Sequence, residues 1–90
     1  MVVYKIVFSK RADKDKALLK AAGLEDKTRE LLAIISNNPF QSPPPYEVLK
    51  GRLQGIYSRR INYQHRLVYI VHKEEMLVHI LRMWSHYDLL

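Results

Sequence analysis

Three side chains in this sequence could together break a phosphodiester: Glu47, Arg66 and His86. Cutting RNA through its own 2′-hydroxyl needs a base to take the hydroxyl proton and a cation to hold the charge that builds on the phosphorane oxygens. It also needs an acid to protonate the leaving 5′-oxygen. Arginine suits the middle task because its planar fork matches phosphate oxygens and stays protonated. Histidine can give or take a proton near neutral pH. Tyr87, next to His86, can stack on a base or orient a phosphate.

Each residue alone also has a plainer explanation. Glu47 follows Pro43-Pro44-Pro45-Tyr46, and its spacing alone favours a solvated glutamate at a helix start over a base tuned by partial burial. Arg59 and Arg60 are consecutive on a predicted strand, so they point to opposite faces, and at most one shares a face with Arg66. Each arginine could be an exposed sheet residue or an ion-pair partner. Arg66, however, abuts Leu67-Val68-Tyr69-Ile70-Val71, a run that reads as a central, buried strand where an arginine is held for a purpose. His86 and Tyr87 sit near the end of the chain, where fraying is the common state. The histidines at 65, 72, 79 and 86 recur every seven residues. Such spacing aligns side chains only along one continuous helix, whereas this region reads as strand, turn and strand. No cysteine or carboxylate cluster completes a site, so no metal and no cofactor is expected.

The elements that must position these residues follow from periodicity. Val2, Tyr4, Ile6 and Phe8 alternate with their neighbours as in a strand. Ser9 then occupies a helix N-cap position, and strong helix formers run to about Ala22 with a thin stripe of Ala12, Leu18, Leu19 and Ala22. Gly23 breaks this helix. A second carries Leu24, Thr28, Leu31, Leu32 and Ile35 on one face, pairs Glu25 with Arg29, and stops at Asn37-Asn38-Pro39. The proline-rich stretch 39–46 reads as a stiff, extended surface connection. A brief helical or irregular turn is expected from Glu47 to about Leu53. Three strands follow, Ile56–Asn62, Arg66–His72 and Met76–Trp84, with connections short enough to make neighbours antiparallel. The order β-α-α-β-β-β predicts an α+β fold with a helical hairpin over one face of the sheet.

Ninety residues make one domain, 1–90, with a modest core. A net charge of +6 suits a polyanion or an acidic protein partner. No apolar run reaches the length of a membrane span, and the first residues lack the build of a signal peptide. The absence of cysteine fits a reducing compartment, so the cytoplasm is expected.

Several short motifs resemble a known family. Asn38-Pro39-Phe40, Glu47-Val48-Leu49-Lys50-Gly51, Leu53-Gln54-Gly55, Ser58-Arg59-Arg60-Ile61, His65-Arg66-Leu67-Val68-Tyr69 and His86-Tyr87 occur in that order. Together they are similar to the Txe/YoeB group of RelE-type toxins from bacterial toxin–antitoxin modules. The resemblance implies a ribosome-dependent endoribonuclease that cuts mRNA at the decoding site, beside 16S rRNA, and so inhibits translation. It implies a YefM/Axe-like antitoxin, partly disordered, whose C-terminal segment folds over the toxin, and it allows a homodimer. Carried over motif by motif, Glu47 would be the general base, Arg66 the phosphate-stabilising cation, His86 the general acid and Tyr87 a substrate-positioning residue. Lys50 and Arg60 would be electrostatic supports, with Arg60 on the Arg66 side and Arg59 beside it as a further substrate contact. Two rival readings use the same scaffold: a toxin that poisons DNA gyrase, and a non-catalytic ribosome- or RNA-binding toxin.

Overall fold

A computed structural model of the chain describes residues 3–49 and 55–84. Within them the elements are β1 (Lys5–Phe8), α1 (Lys10–Ala21), α2 (Glu25–Asn37), β2 (Glu47–Val48), β3 (Ile56–Arg60), β4 (Arg66–His72) and β5 (Leu77–Arg82). They form a five-stranded sheet in the order β1-β5-β4-β3-β2. The three predicted C-terminal strands pair antiparallel, as expected. β1 joins them parallel to β5, so the sheet is mixed rather than a plain meander. A parallel pair needs a long crossover; between β1 and the later strands the chain forms the helical hairpin.

Local chemistry sets the ends of the elements. The Ser9 hydroxyl accepts the Ala12 N–H at 3.0 Å and donates to the Leu81 carbonyl at 2.8 Å, so one side chain caps α1 and ties it to β5. At the other end of α1, Gly23 takes a φ of +74°. The Gly23 and Leu24 N–H groups donate back to the Lys20 and Leu19 carbonyls, the paired bonds that commonly end a helix on a left-handed glycine. The Glu25–Arg29 pair forms at 3.5 Å.

Two of the three C-terminal strands are shorter than predicted, for reasons visible in their turns. β3 stops at Arg60 because the Asn62 side-chain carbonyl accepts the Gln64 and His65 N–H groups, folding 61–65 into a turn. β5 starts after Met76, which adopts a left-handed φ of 52° in the 73–76 turn. The segment from Glu47, expected as a helical or irregular turn, begins as a strand instead. Glu47 pairs with Ser58 and Val48 with Tyr57, and the Leu49 N–H donates to the Ile56 carbonyl at 2.9 Å. The free edge of β3 offers backbone groups that need partners, and the proline-stiffened approach delivers an extended chain to it.

Register divides the sheet into two faces. Ile6, Phe8, Leu67, Tyr69, Val78 and Ile80 face the helices and pack with Ala12, Leu19, Leu31 and Ile35 into the core. The opposite face carries Glu47, Ser58, Arg60 and Arg66. The helices therefore stabilise the sheet from one side and leave the candidate chemistry on the other.

Candidate active site

The arginine question is settled by strand pairing. Arg60 lies directly across from Arg66, and Ser58 directly across from Glu47, so all four side chains leave the sheet on the same face. They line a shallow cleft of about 130 Å³, closed on one side by Pro44, Pro45 and Tyr46. Two like charges directly opposite one another disfavour a strand pair. Here they concentrate positive potential where an anion could sit. Among the described residues no carboxylate lies within ion-pair distance of Arg60.

Glu47 and Arg66 meet across the cleft. The Arg66 Nη1 donates to Glu47 Oε1 at 3.4 Å, with the arginine side chain 10% exposed and the glutamate 55% exposed. A tight charge-assisted bond would be about 2.7–2.9 Å long, so this is a loose contact. The partial burial anticipated for a tuned base is absent: the Glu47 carboxylate stands on an edge strand at the mouth of the cleft. Arg66 is held well, as a residue flanked by buried Leu67 and Val68 must be.

Arg59 is a correction. It was expected beside Arg60 as a substrate contact, but it leaves the sheet on the opposite face and is 1% exposed. Its Nε donates to the Tyr69 hydroxyl at 3.0 Å, Nη1 to the Pro44 carbonyl at 2.6 Å and Nη2 to the Pro39 carbonyl at 3.0 Å. The Tyr69 hydroxyl itself donates to the Pro39 carbonyl at 2.9 Å. Burial pushes the Tyr69 hydroxyl above its ordinary pKa of 10.0, and the hydrogen bond and charge of Arg59 pull it partly back. Arg59 thus clamps the proline-rich segment that delivers Tyr46 and Glu47 to the cleft. Tyr57 packs among Phe40, Tyr46 and Tyr69 with ring centroids 5.6–5.8 Å apart, stiffening the same segment.

Two contacts that anchor the far end of β5 escaped the sequence reading. Asp15 is buried in α1, where its Oδ2 accepts the Arg82 Nε at 3.1 Å and the Met83 N–H at 2.9 Å. A signal for it existed: Ala12, Asp15 and Leu19 share the i, i+3, i+7 spacing of one helix face, and an aspartate on a buried stripe asks for a partner. His65 is also buried and stacks on Trp84, centroids 3.8 Å apart and planes 18° from parallel. Both contacts fix the chain just before His86. Lys50, His86 and Tyr87 themselves lie outside the described residues.

A larger hollow, about 230 Å³, opens beside Leu19, Thr28, Leu32 and Met83. Its charges are already matched, Glu25 with Arg29 at 3.5 Å and Lys16 with Asp13 at 2.9 Å, and it holds no comparable set of acid, base and phosphate-binding groups. Among the described residues, no three His, Asp or Glu side chains gather as a metal would require, and no helix is long and apolar enough to cross a membrane.

Comparison with known proteins points to one family. The profile of YoeB-like toxins of bacterial type II toxin–antitoxin systems matches residues 8–87. A toxin YoeB from Synechocystis is 41% identical over 64 residues, which covers 71% of this chain and 67% of that protein. The toxin in the crystal structure of a heterotetrameric YoeB–YefM toxin–antitoxin complex from Staphylococcus aureus superposes with a TM-score of 0.78 at 36% identity, covering 93% of this chain and 98% of that one. The YoeB dimer from the same organism superposes with a TM-score of 0.79 at the same identity and coverage.

Proposed function

The chain belongs to the YoeB-like toxins of bacterial type II toxin–antitoxin systems, and on that premise we propose that it is an endoribonuclease that cuts mRNA on the ribosome. What supports this most is the meeting of Glu47 and Arg66 at 3.4 Å in a cleft that also holds Arg60. In the proposed reaction Glu47 takes the proton of the 2′-hydroxyl as that oxygen attacks the adjacent phosphorus. Arg66 and Arg60 hold the non-bridging oxygens as charge builds on them. His86 gives its proton to the departing 5′-oxygen, leaving a 2′,3′-cyclic phosphate and a new 5′-hydroxyl end. Tyr87 positions the nucleotide, and Lys50 adds positive potential. The loose Glu47–Arg66 contact suits this sequence of events. An incoming phosphate takes the arginine's donors and frees the carboxylate for the hydroxyl.

The openness of the cleft gives a physical reason for needing the ribosome. One positioned acid or base contributes about 10²–10⁴ in rate, and much of the rest must come from holding the attacking oxygen in line. A shallow cleft with a half-exposed base supplies little of that alignment. The decoding site, beside 16S rRNA, would supply it. The same reading gives the chain a cytoplasmic place of action and a YefM-type antitoxin as its partner, as in the staphylococcal complex, with self-association into a dimer as in the staphylococcal toxin.

Growth arrest on induction tests the chemistry. Glu47→Ala and His86→Ala are expected to relieve arrest while the circular dichroism spectrum and antitoxin binding persist. Full toxicity in both variants would rule out acid–base cleavage by these residues.

A further inference from the structure

The floor of the cleft holds one polar group that takes no part in the chemistry above. Ser58 is 1% exposed. Among the described residues, its Oγ is the one buried side-chain nitrogen or oxygen with no hydrogen-bond partner. A buried hydroxyl left unpaired lowers stability, so each one in a native fold asks for a partner, whether an ordered water, an ion or a bound ligand. Its surroundings say what that is. Ser58 lies across from the Glu47 carboxylate, two residues along β3 from Arg60, and lines the same cleft as Arg66. Side chains two apart on a strand are about 7 Å from each other, close enough for both to reach oxygens of one phosphodiester.

We propose that Ser58 is a further substrate-binding residue, whose hydroxyl donates a hydrogen bond to a non-bridging oxygen of the phosphodiester lying between Glu47 and Arg66. The identity of that phosphodiester as RNA rests on the nuclease reading above. The guanidiniums hold the phosphate by charge. The serine fixes its rotation from the Glu47 side, so that the neighbouring 2′-hydroxyl meets the base. A hydroxyl is a neutral donor that leaves Glu47 unpaired with any further cation.

Ser58→Ala removes the hydroxyl and little volume. Three measurements on purified wild type and variant decide the matter: melting temperature, affinity for a short single-stranded 2′-deoxy oligonucleotide that cannot be cut, and cutting of translated mRNA. The melting temperature is expected to hold or rise, oligonucleotide affinity to fall about tenfold, and cutting to slow at least as much. Equal affinity and equal cutting in the two proteins would overturn the role of Ser58 and leave the nuclease reading standing. A fall in melting temperature with affinity unchanged would also overturn it, by showing that the hydroxyl serves the fold. If the wild type does not cut translated mRNA and Ser58→Ala still loses affinity, the nuclease reading fails while the phosphate contact stands. A wild type that neither binds nor cuts would overturn both.

Discussion

Replacing Arg59 by methionine should cost the protein much of its stability and leave its affinity for an oligonucleotide nearly unchanged. Methionine nearly preserves the length of the side chain and removes all three donors. Of the three acceptors, the Pro39 carbonyl keeps the Tyr69 hydroxyl at 2.9 Å, whereas the Pro44 carbonyl loses its 2.6 Å bond and the Tyr69 oxygen loses a donor. Hydrogen bonds from a charged donor are worth about 1.5–3 kcal/mol each. Against that loss stands relief of a buried cation that, among the described residues, has no carboxylate partner. The net expectation is a destabilisation of about 2–4 kcal/mol. At about 4–8 °C per kcal/mol for a domain of this size, the melting temperature should fall by about 8–32 °C. Calorimetry gives the melting point, and fluorescence anisotropy below it gives the affinity for a single-stranded oligonucleotide. Affinity should stay within about twofold, because a guanidinium that is 1% exposed on the far face of the sheet does not meet substrate. A variant that melts like the wild type and binds the oligonucleotide tenfold less tightly would restore Arg59 as a substrate contact.

Two further outcomes follow from buried polar contacts. Asp15→Ala leaves the Met83 N–H and the Arg82 guanidinium without their acceptor, and should destabilise the chain by about 3 kcal/mol in urea titration; an unchanged midpoint would mean the carboxylate is idle. Tyr69 has a folded-state pKa above the ordinary 10.0, so its contribution to stability is complete below pH 10 and is lost as pH rises through the raised value. An ultraviolet titration of the six tyrosines should therefore contain a late step above pH 10 that coincides with loss of stability, and a late step absent from wild type would refute the burial-driven shift.

Features with a local cause were the ones open to reading from sequence. β4 was delimited correctly because an unbroken apolar run has few alternatives, and the end of α1 because glycine alone favours a left-handed cap. Alternation along a strand separates Arg59 from Arg60, but it does not say what Arg59 does instead. That role depends on carbonyls at 39 and 44, which only the fold brings to it. The two-residue strand at Glu47–Val48 has no periodicity to detect and exists because β3 has a free edge. The parallel pairing of β1 with β5 joins positions some seventy residues apart in sequence, a choice no local window contains. Ser58 is the clearest case: that its hydroxyl lacks a partner among the described residues depends on how distant segments pack around it.

The proposal that this toxin supplies acid–base groups and the ribosome supplies alignment can be tested by one comparison. A single mRNA is offered to the purified protein free in solution and again while being translated, and the rate at which new 5′ ends appear is measured in each case. The expected result is slow cutting of the free strand and fast cutting under translation, with Glu47→Ala abolishing the fast rate. Equal rates on free and translated mRNA would contradict it.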